Sequence, residues 1–139
     1  MNRRLAVPTL LALAAACSGL ADPGSRRVPG LIDTGGGDDR ALAVPDTVAA
    51  GAPFTVTTFG SSSCTRPDGA ELEVRGLVAE VVPYDRDATG AQVCTDDLRA
   101  YPRAVTVRFA GPGQAVVRVR GRDLRGRPAV VEASVVVRP

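Results

Sequence analysis

Apolar and polar residues alternate in short segments through most of the chain after residue 41. Alternation with a period of two is typical of strands that bury one face, and no window shows the 3.6-residue period of a helix. In one such segment Val105, Val107 and Phe109 share a face opposite Thr106 and Arg108. Seven candidate strands result, at 42–48, 54–58, 71–75, 77–82, 105–109, 117–120 and 131–138. We therefore predict an all-β domain over 41–139, a two-sheet sandwich of about seven antiparallel strands.

The first sixteen residues have a different pattern, because a basic start, Arg3 and Arg4, precedes an apolar run from Leu5 to Ala16. This pattern predicts an export signal over 1–16. The run is shorter than the roughly 20 apolar residues that a membrane-spanning helix needs.

The residues before Cys17 are Leu13-Ala14-Ala15-Ala16, which resembles the lipobox of bacterial lipoproteins, although that family prefers Leu at the position of Ala14. The resemblance implies that Cys17 is acylated, becomes the first residue after cleavage and holds the chain at a membrane. Ser18 after the cysteine resembles the outer-membrane address of the family. The expected location is the bacterial cell envelope, lipid-anchored at the outer membrane. The alternative is an ordinary signal cut near Ala16 or Ala21, which gives a secreted or periplasmic soluble protein.

Between the signal and the domain, residues 17–40 are rich in turn formers, including Asp22-Pro23-Gly24-Ser25 and Gly35-Gly36-Gly37-Asp38-Asp39. This composition predicts a linker that holds the domain away from the membrane. Residues 28–32 are apolar enough for a short edge strand, and the sequence leaves open whether they form one.

Two stretches resemble bacterial immunoglobulin-like domains. Residues 44–57, VPDTVAAGAPFTVT, are similar to their first two strands, and residues 109–119, FAGPGQAVVRV, to their late hairpin. Ala115 stands where a Tyr is common in that family, so a tyrosine corner is absent. The resemblance implies an immunoglobulin-like sandwich and implies no activity.

The chain has three cysteines, an odd number that needs an explanation in an exported protein. If Cys17 carries lipid, Cys64 and Cys94 remain as an even pair. In an oxidising compartment we expect them to form a disulfide, which closes a loop of about 31 residues. The alternative is a reactive thiol, but no Cys-x-x-Cys motif or His is present to lower its pKa.

An acidic segment offers a candidate calcium loop. Asp85, Asp87, Thr89 and Asp96 have spacing similar to that of a calcium-binding loop, in which several hard oxygens must converge. The flanking residues do not predict helices, and the last ligand is Asp where Glu is usual. The alternative interpretation is a polar turn between strands.

The composition excludes several classes of function. All 17 basic residues are Arg and there is no His, which excludes imidazole-dependent catalysis and Schiff-base lysine chemistry. Without residues 1–16 the chain has 15 Arg and 15 acidic residues, so its charge does not predict a nucleic-acid partner. The alternating Arg118, Arg120 and Arg122, with Arg125 and Arg127, predict the solvent face of a hairpin; an anion-binding patch is the alternative.

We therefore expect a non-catalytic binding or structural module with no catalytic residues and no cofactor. Its partners would be the membrane, through the lipid, and an envelope protein or polysaccharide. Loops 60–70 and 85–102 are the predicted contact surface, with Tyr84, Tyr101 and Arg103 as the residue types that interfaces favour. The alternative functions are a calcium-binding or enzyme-accessory periplasmic module using the 85–96 loop, and a subunit of a larger envelope complex.

Overall fold

The computed structural model describes residues 25–33, 41–60, 65–88 and 101–139. These ranges contain no helix and form nine strands: β1 (Ser25–Pro29), β2 (Leu42–Ala43), β3 (Thr47–Ala49), β4 (Pro53–Phe59), β5 (Thr65–Arg75), β6 (Val78–Ala88), β7 (Pro102–Arg108), β8 (Gly113–Arg122) and β9 (Pro128–Arg138). The predicted all-β class is confirmed. The described strands exceed the expected seven because Pro45 divides the opening strand into β2 and β3, and because β1 lies within the predicted linker.

The strands form two sheets. The larger sheet has six strands: five follow the order β1-β6-β8-β9-β3, and β5 pairs with β6 off this path. The smaller sheet has the order β2-β4-β7. The chain therefore changes sheets at Pro45, since β2 pairs with β4 in the small sheet and β3 pairs with β9 in the large one.

Two of the strand pairings among the described residues are parallel, which corrects the expectation of antiparallel strands throughout. β3 runs parallel to β9, and β6 runs parallel to β8 over Val78–Val81 and Val116–Val119. β5 and β6 form a hairpin, and the second of these strands lies beside β8. Which strand of a hairpin joins a sheet is set by tertiary packing, so local alternation does not show it.

Valines from both sheets dominate the core between them. Val56 and Val107 from the small sheet meet Val81, Val117 and Val135 from the large sheet, and all five side chains are fully buried. The rings of Phe54 and Phe109 lie 5.7 Å apart at 32° within this core. The alternating faces of β7, β8 and β9 point inward as predicted, because a β-branched side chain packs well on a pleated surface.

β5 differs from the other long strands. Leu72 and Val74 lie opposite Val81 and Ala79 on the core side of the sheet, yet they are 39% and 38% exposed. The sheet that faces them has three strands against six. β5 therefore extends beyond the area that the small sheet covers. Alternation predicted this strand, but it did not predict that Leu72 and Val74 are partly exposed.

Residues 25–33, expected in the linker, belong to the large sheet. β1 pairs antiparallel with the end of β6, from Ser25 opposite Ala88 to Pro29 opposite Tyr84. The next residues lie between β6 and β8, because Gly30 N–H donates to the Pro83 carbonyl and Arg122 N–H donates to the Gly30 carbonyl. Asp33 N–H then donates to the Phe59 carbonyl of the small sheet, at 3.2 Å. One segment thus connects both sheets.

Candidate functional site

The most unusual group of side chains is a buried ion pair that holds the backbone of Leu31. Asp85 in β6 and Arg103 in β7 form a salt bridge with side chains 0% and 4% exposed. Leu31 N–H donates to Asp85 Oδ2 at 2.8 Å, and Arg103 Nη1 donates to the Leu31 carbonyl at 3.0 Å. The two side chains therefore hydrogen-bond both the N–H and the carbonyl of Leu31. We call these three residues the clamp.

Two glycines leave the space in which the clamped segment lies. A Cβ on Gly121 would be 2.4 Å from the Gly30 carbonyl oxygen and 2.7 Å from the Ile32 side chain. A Cβ on Gly60 would be 2.6 Å from the Leu31 carbonyl oxygen. Ile32 itself is fully buried in the core. Backbone thus approaches backbone closely on both sides of residues 30–32, which requires residues without side chains.

Arg103 and Asp85 do not lie where the sequence placed them. Both were expected in or beside the polar loop 85–102, with Arg103 on a contact surface. Instead β6 continues to Ala88, and Arg103 is 6% exposed at the start of β7. Ala79, Val81 and Asp85 all point inward from β6. The alternation of the strand therefore continues to Asp85, although this inward residue is acidic and the earlier ones are apolar.

Tyr84 lies in a polar group on the outer side of β6. Its hydroxyl donates to Glu71 Oε2 at 3.1 Å, and the Arg27 guanidinium lies 3.5 Å from its ring centroid. The hydrogen bond to Glu71, with burial as a smaller cause, raises the pKa of Tyr84. Tyr101 is 39% exposed immediately before β7. The structure therefore does not bring Tyr84, Tyr101 and Arg103 onto one accessible surface.

The described members of the calcium candidate are both paired with arginine. Asp85 belongs to the clamp, and Asp87 Oδ1 accepts from Arg122 Nη2 at 2.7 Å. Within the described ranges no three His, Cys, Asp or Glu residues are grouped so that they could hold a metal ion. Thr89 and Asp96 lie outside the described residues.

Charged side chains form a row across the outer face of the large sheet. Glu80, Arg118 and Glu132 stand directly opposite one another on β6, β8 and β9. Arg118 donates to both glutamates, and Arg120 Nη2 donates to Glu80 at 3.0 Å. The hydrogen bond from Arg118 is the largest cause that lowers the pKa of Glu80, and the bonds to Glu132 and Glu80 raise the pKa of Arg118. A concavity of about 250 Å³ lies beside this row, lined by Glu73, Arg75, Val78, Glu80 and Arg118.

The rest of the arginine series lies at and beside the β8–β9 turn. Asp123 organises this turn, because its carboxylate accepts the N–H groups of Arg125 and Arg127 and pairs with the Arg127 guanidinium. The backbone bond from Arg127 is the largest cause that lowers the pKa of Asp123. The hairpin predicted from the arginine series is therefore present, and each of Arg118, Arg120, Arg122 and Arg127 pairs with a carboxylate.

All three cysteines, Cys17, Cys64 and Cys94, lie outside the described residues, so the lipid site and the disulfide stay predictions. No helix in the part of the chain that the structure describes is long and apolar enough to span a bilayer.

Sequence reasoning missed the clamp. Its signals were weak and separate: Val28, Leu31 and Ile32 are apolar within a linker composition, and Asp85 keeps the inward position of an alternating strand. Neither signal identifies the partner, because Leu31 and Arg103 are 72 positions apart. Comparisons with family models, with curated proteins and with solved structures found no match to this chain.

Proposed function

We propose that this chain is a lipoprotein of the bacterial cell envelope, anchored through Cys17, whose sandwich acts as a non-catalytic binding or structural module. An envelope protein or polysaccharide is the proposed partner, and the outer membrane is the proposed location. The observation that carries the proposal is the place where the described chain joins the large sheet. The chain becomes part of the large sheet at Ser25, eight positions after Cys17.

The clamp would help the sandwich to resist force applied through the anchor. A lipid at Cys17 would transmit any pull on the domain through β1 and residues 30–33 into both sheets. Pairing with β6, the hydrogen bonds to Arg122 and Phe59, and the clamp on Leu31 all resist the withdrawal of this segment. A fold that secures its own tether is suited to presenting a surface at a fixed place near a membrane.

The pKa shifts of Glu80 and Asp123 are opposite to those of a general acid. The pKa values of Glu80 and Asp123 are lowered by hydrogen bonds from arginine side chains or backbone N–H groups. A general acid at neutral pH needs the opposite shift, which burial without a charge partner would provide.

We also propose that the sandwich is a variant of the immunoglobulin-like architecture. The sheet change at Pro45, the parallel β3–β9 pair and the β8–β9 hairpin support this view. The parallel β6–β8 pair is a departure from this architecture. Immunoglobulin sheets are antiparallel apart from a pairing of the opening strand, such as β3 with β9 here.

The test is the intact mass of the full chain extracted from bacterial membranes, measured with and without reductant. We expect the mass of a chain that begins at Cys17 plus its acyl groups, and an increase of two hydrogens on reduction for a Cys64–Cys94 bridge. The Cys17→Ser variant is the matched control and should lack the acyl mass. A native protein without acyl groups in the membrane fraction would overturn the anchoring proposal.

A further inference from the structure

The strand directions place Ser25, the first described residue, at one end of the sandwich. β6 and β8 run parallel, and β1, β5 and β9 run antiparallel to their neighbours in the same sheet. Asp85 and Arg103 connect this end to the small sheet. We call this end the anchor pole, and it is formed by the strand ends at Ser25, Phe59, Thr65, Ala88, Pro102, Arg122 and Pro128.

An anchor at Cys17 would hold this pole close to the membrane. Eight residue steps from Cys17 to Ser25 span at most about 29 Å even when fully extended. The opposite end of the sandwich, with Arg108 and Arg138 at the ends of β7 and β9, lies a strand length further away.

A row of arginines crosses the anchor pole. Arg66, Arg86 and Arg27 stand directly opposite one another on β5, β6 and β1. Like charges opposite one another destabilise a sheet unless an anion lies between them. Asp68 pairs with Arg27 and Arg86, at 3.6 and 3.0 Å, and Glu71 pairs with Arg27 at 3.2 Å. Arg66 is exposed and has no acidic partner among the described residues.

The β8–β9 turn adds an apolar side chain and a second unpaired arginine at this pole. Leu124 is 48% exposed at the turn, and its neighbour Arg125 is exposed with its guanidinium unpaired within the described ranges. An exposed apolar side chain beside an unpaired arginine matches the headgroup layer of a bilayer, where apolar groups enter the acyl boundary and cations bind phosphates.

We propose that the anchor pole faces an anionic bilayer, with Leu124 in the headgroup layer and Arg66 and Arg125 at lipid phosphates. This inference rests on the proposed lipid anchor. It gives the domain an orientation, in which the ends of β7 and β9 at Arg108 and Arg138 are the part presented to a partner.

The chain has no Trp, so a single introduced indole reports on its own position. Leu124→Trp places it at the anchor pole, and Val136→Trp, at a site 41% exposed toward the other end of β9, is the matched control. Each acylated full-length variant is reconstituted in vesicles of brominated phosphatidylcholine and phosphatidylglycerol. We expect quenching at position 124 to exceed that at position 136 by about twofold or more.

Charge reversal provides the second measurement. In the Leu124→Trp chain, Arg66→Glu with Arg125→Glu should reduce the quenching to the level at position 136, whereas Arg108→Glu with Arg138→Glu should leave it unchanged. Vesicles without phosphatidylglycerol should show the same reduction, because the attraction to anionic lipid is lost. Equal quenching of the two indoles in acylated protein would overturn the proposed orientation and leave the lipid anchor standing. Absence of acyl groups in the mass measurement would instead overturn the anchor.

Discussion

The clamp buries two charged side chains, Asp85 and Arg103. Asp85 and Arg103 are almost fully withdrawn from water, so either charge alone would be costly to bury. Arg103 Nε is also buried without a hydrogen-bond partner among the described residues, and so is the hydroxyl of Thr58, which stands opposite Arg103 in β4. The pair is therefore better explained by the position it imposes on Leu31 than by a net gain in stability.

Removing one member of the clamp should be more harmful than removing an exposed pair. We expect Asp85→Ala or Arg103→Ala to lower the free energy of unfolding by about 3–5 kcal/mol, because the other charge stays buried. The double variant should lose less than the sum of the two single losses. Arg75→Ala breaks a pair that is mostly exposed and should cost at most about 1 kcal/mol. Urea unfolding measures all four, and additive losses would contradict the coupling.

Gly121 tests the close approach of β8 to the clamped segment. Gly121→Ala should destabilise the fold by about 1–3 kcal/mol, because its Cβ would overlap the Gly30 carbonyl and the Ile32 side chain. Gly111→Ala is the control, since a Cβ there has nothing within 4 Å. Thermal unfolding of the two variants should separate them, and equal midpoints would show that residues 30–32 are not packed there.

At the scale of the strands, the charged row on β6, β8 and β9 makes the large sheet sensitive to acid. The pKa of Glu80 is lowered in the folded protein, first by the Arg118 hydrogen bond. Ionised Glu80 therefore stabilises the fold above its unfolded pKa, and this contribution is lost as pH falls through the folded pKa.

Glu80→Gln should consequently lower the melting temperature most near neutral pH. The difference from the unsubstituted chain should shrink as pH falls below the ordinary glutamate value of 4.5, and close once the folded carboxyl is protonated. Arg118→Met removes the main cause of the shift, so Glu80→Gln should have a smaller effect in that background. Melting curves across this pH range check both expectations, and a difference that grows toward acid pH would contradict the sign.

The strands also show what the sequence could predict. β7, β8 and β9 were identified because Val107, Val117 and Val135 recur at every second position on a buried face. For β1 the sequence left open an edge strand at 28–32, whereas the strand spans Ser25–Pro29, because Ser-Arg-Arg has no apolar alternation and its place depends on bonds to β6, 55 or more positions away in the chain. The parallel contact of β6 with β8 and the clamp were missed for the same reason: both are made by partners that are distant in sequence.

For the whole molecule, the described strands bring the two segments that carry the predicted disulfide toward one place. Cys64 directly precedes Thr65, which stands opposite Asp87 on β6, and Cys94 follows Asp87 by seven positions. Seven residues can extend about 23 Å, so a bridge between them requires no change in the strands. The bridge would fasten the start of β5 to the connection between β6 and β7 at the anchor pole.

Reduction should therefore lower the stability of the entire domain. A closed loop of about 31 residues is worth roughly 3.5–4 kcal/mol in the chain-entropy model. We expect Cys64→Ser, Cys94→Ser and the double variant to unfold at the same, lower urea concentration, and the reduced native chain to join them. Reductant should leave the variants unchanged, because they have no bridge to lose. Two free thiols in the native chain before reduction, or a midpoint that reductant does not move, would show that β5 and the β6–β7 connection are held together by packing alone.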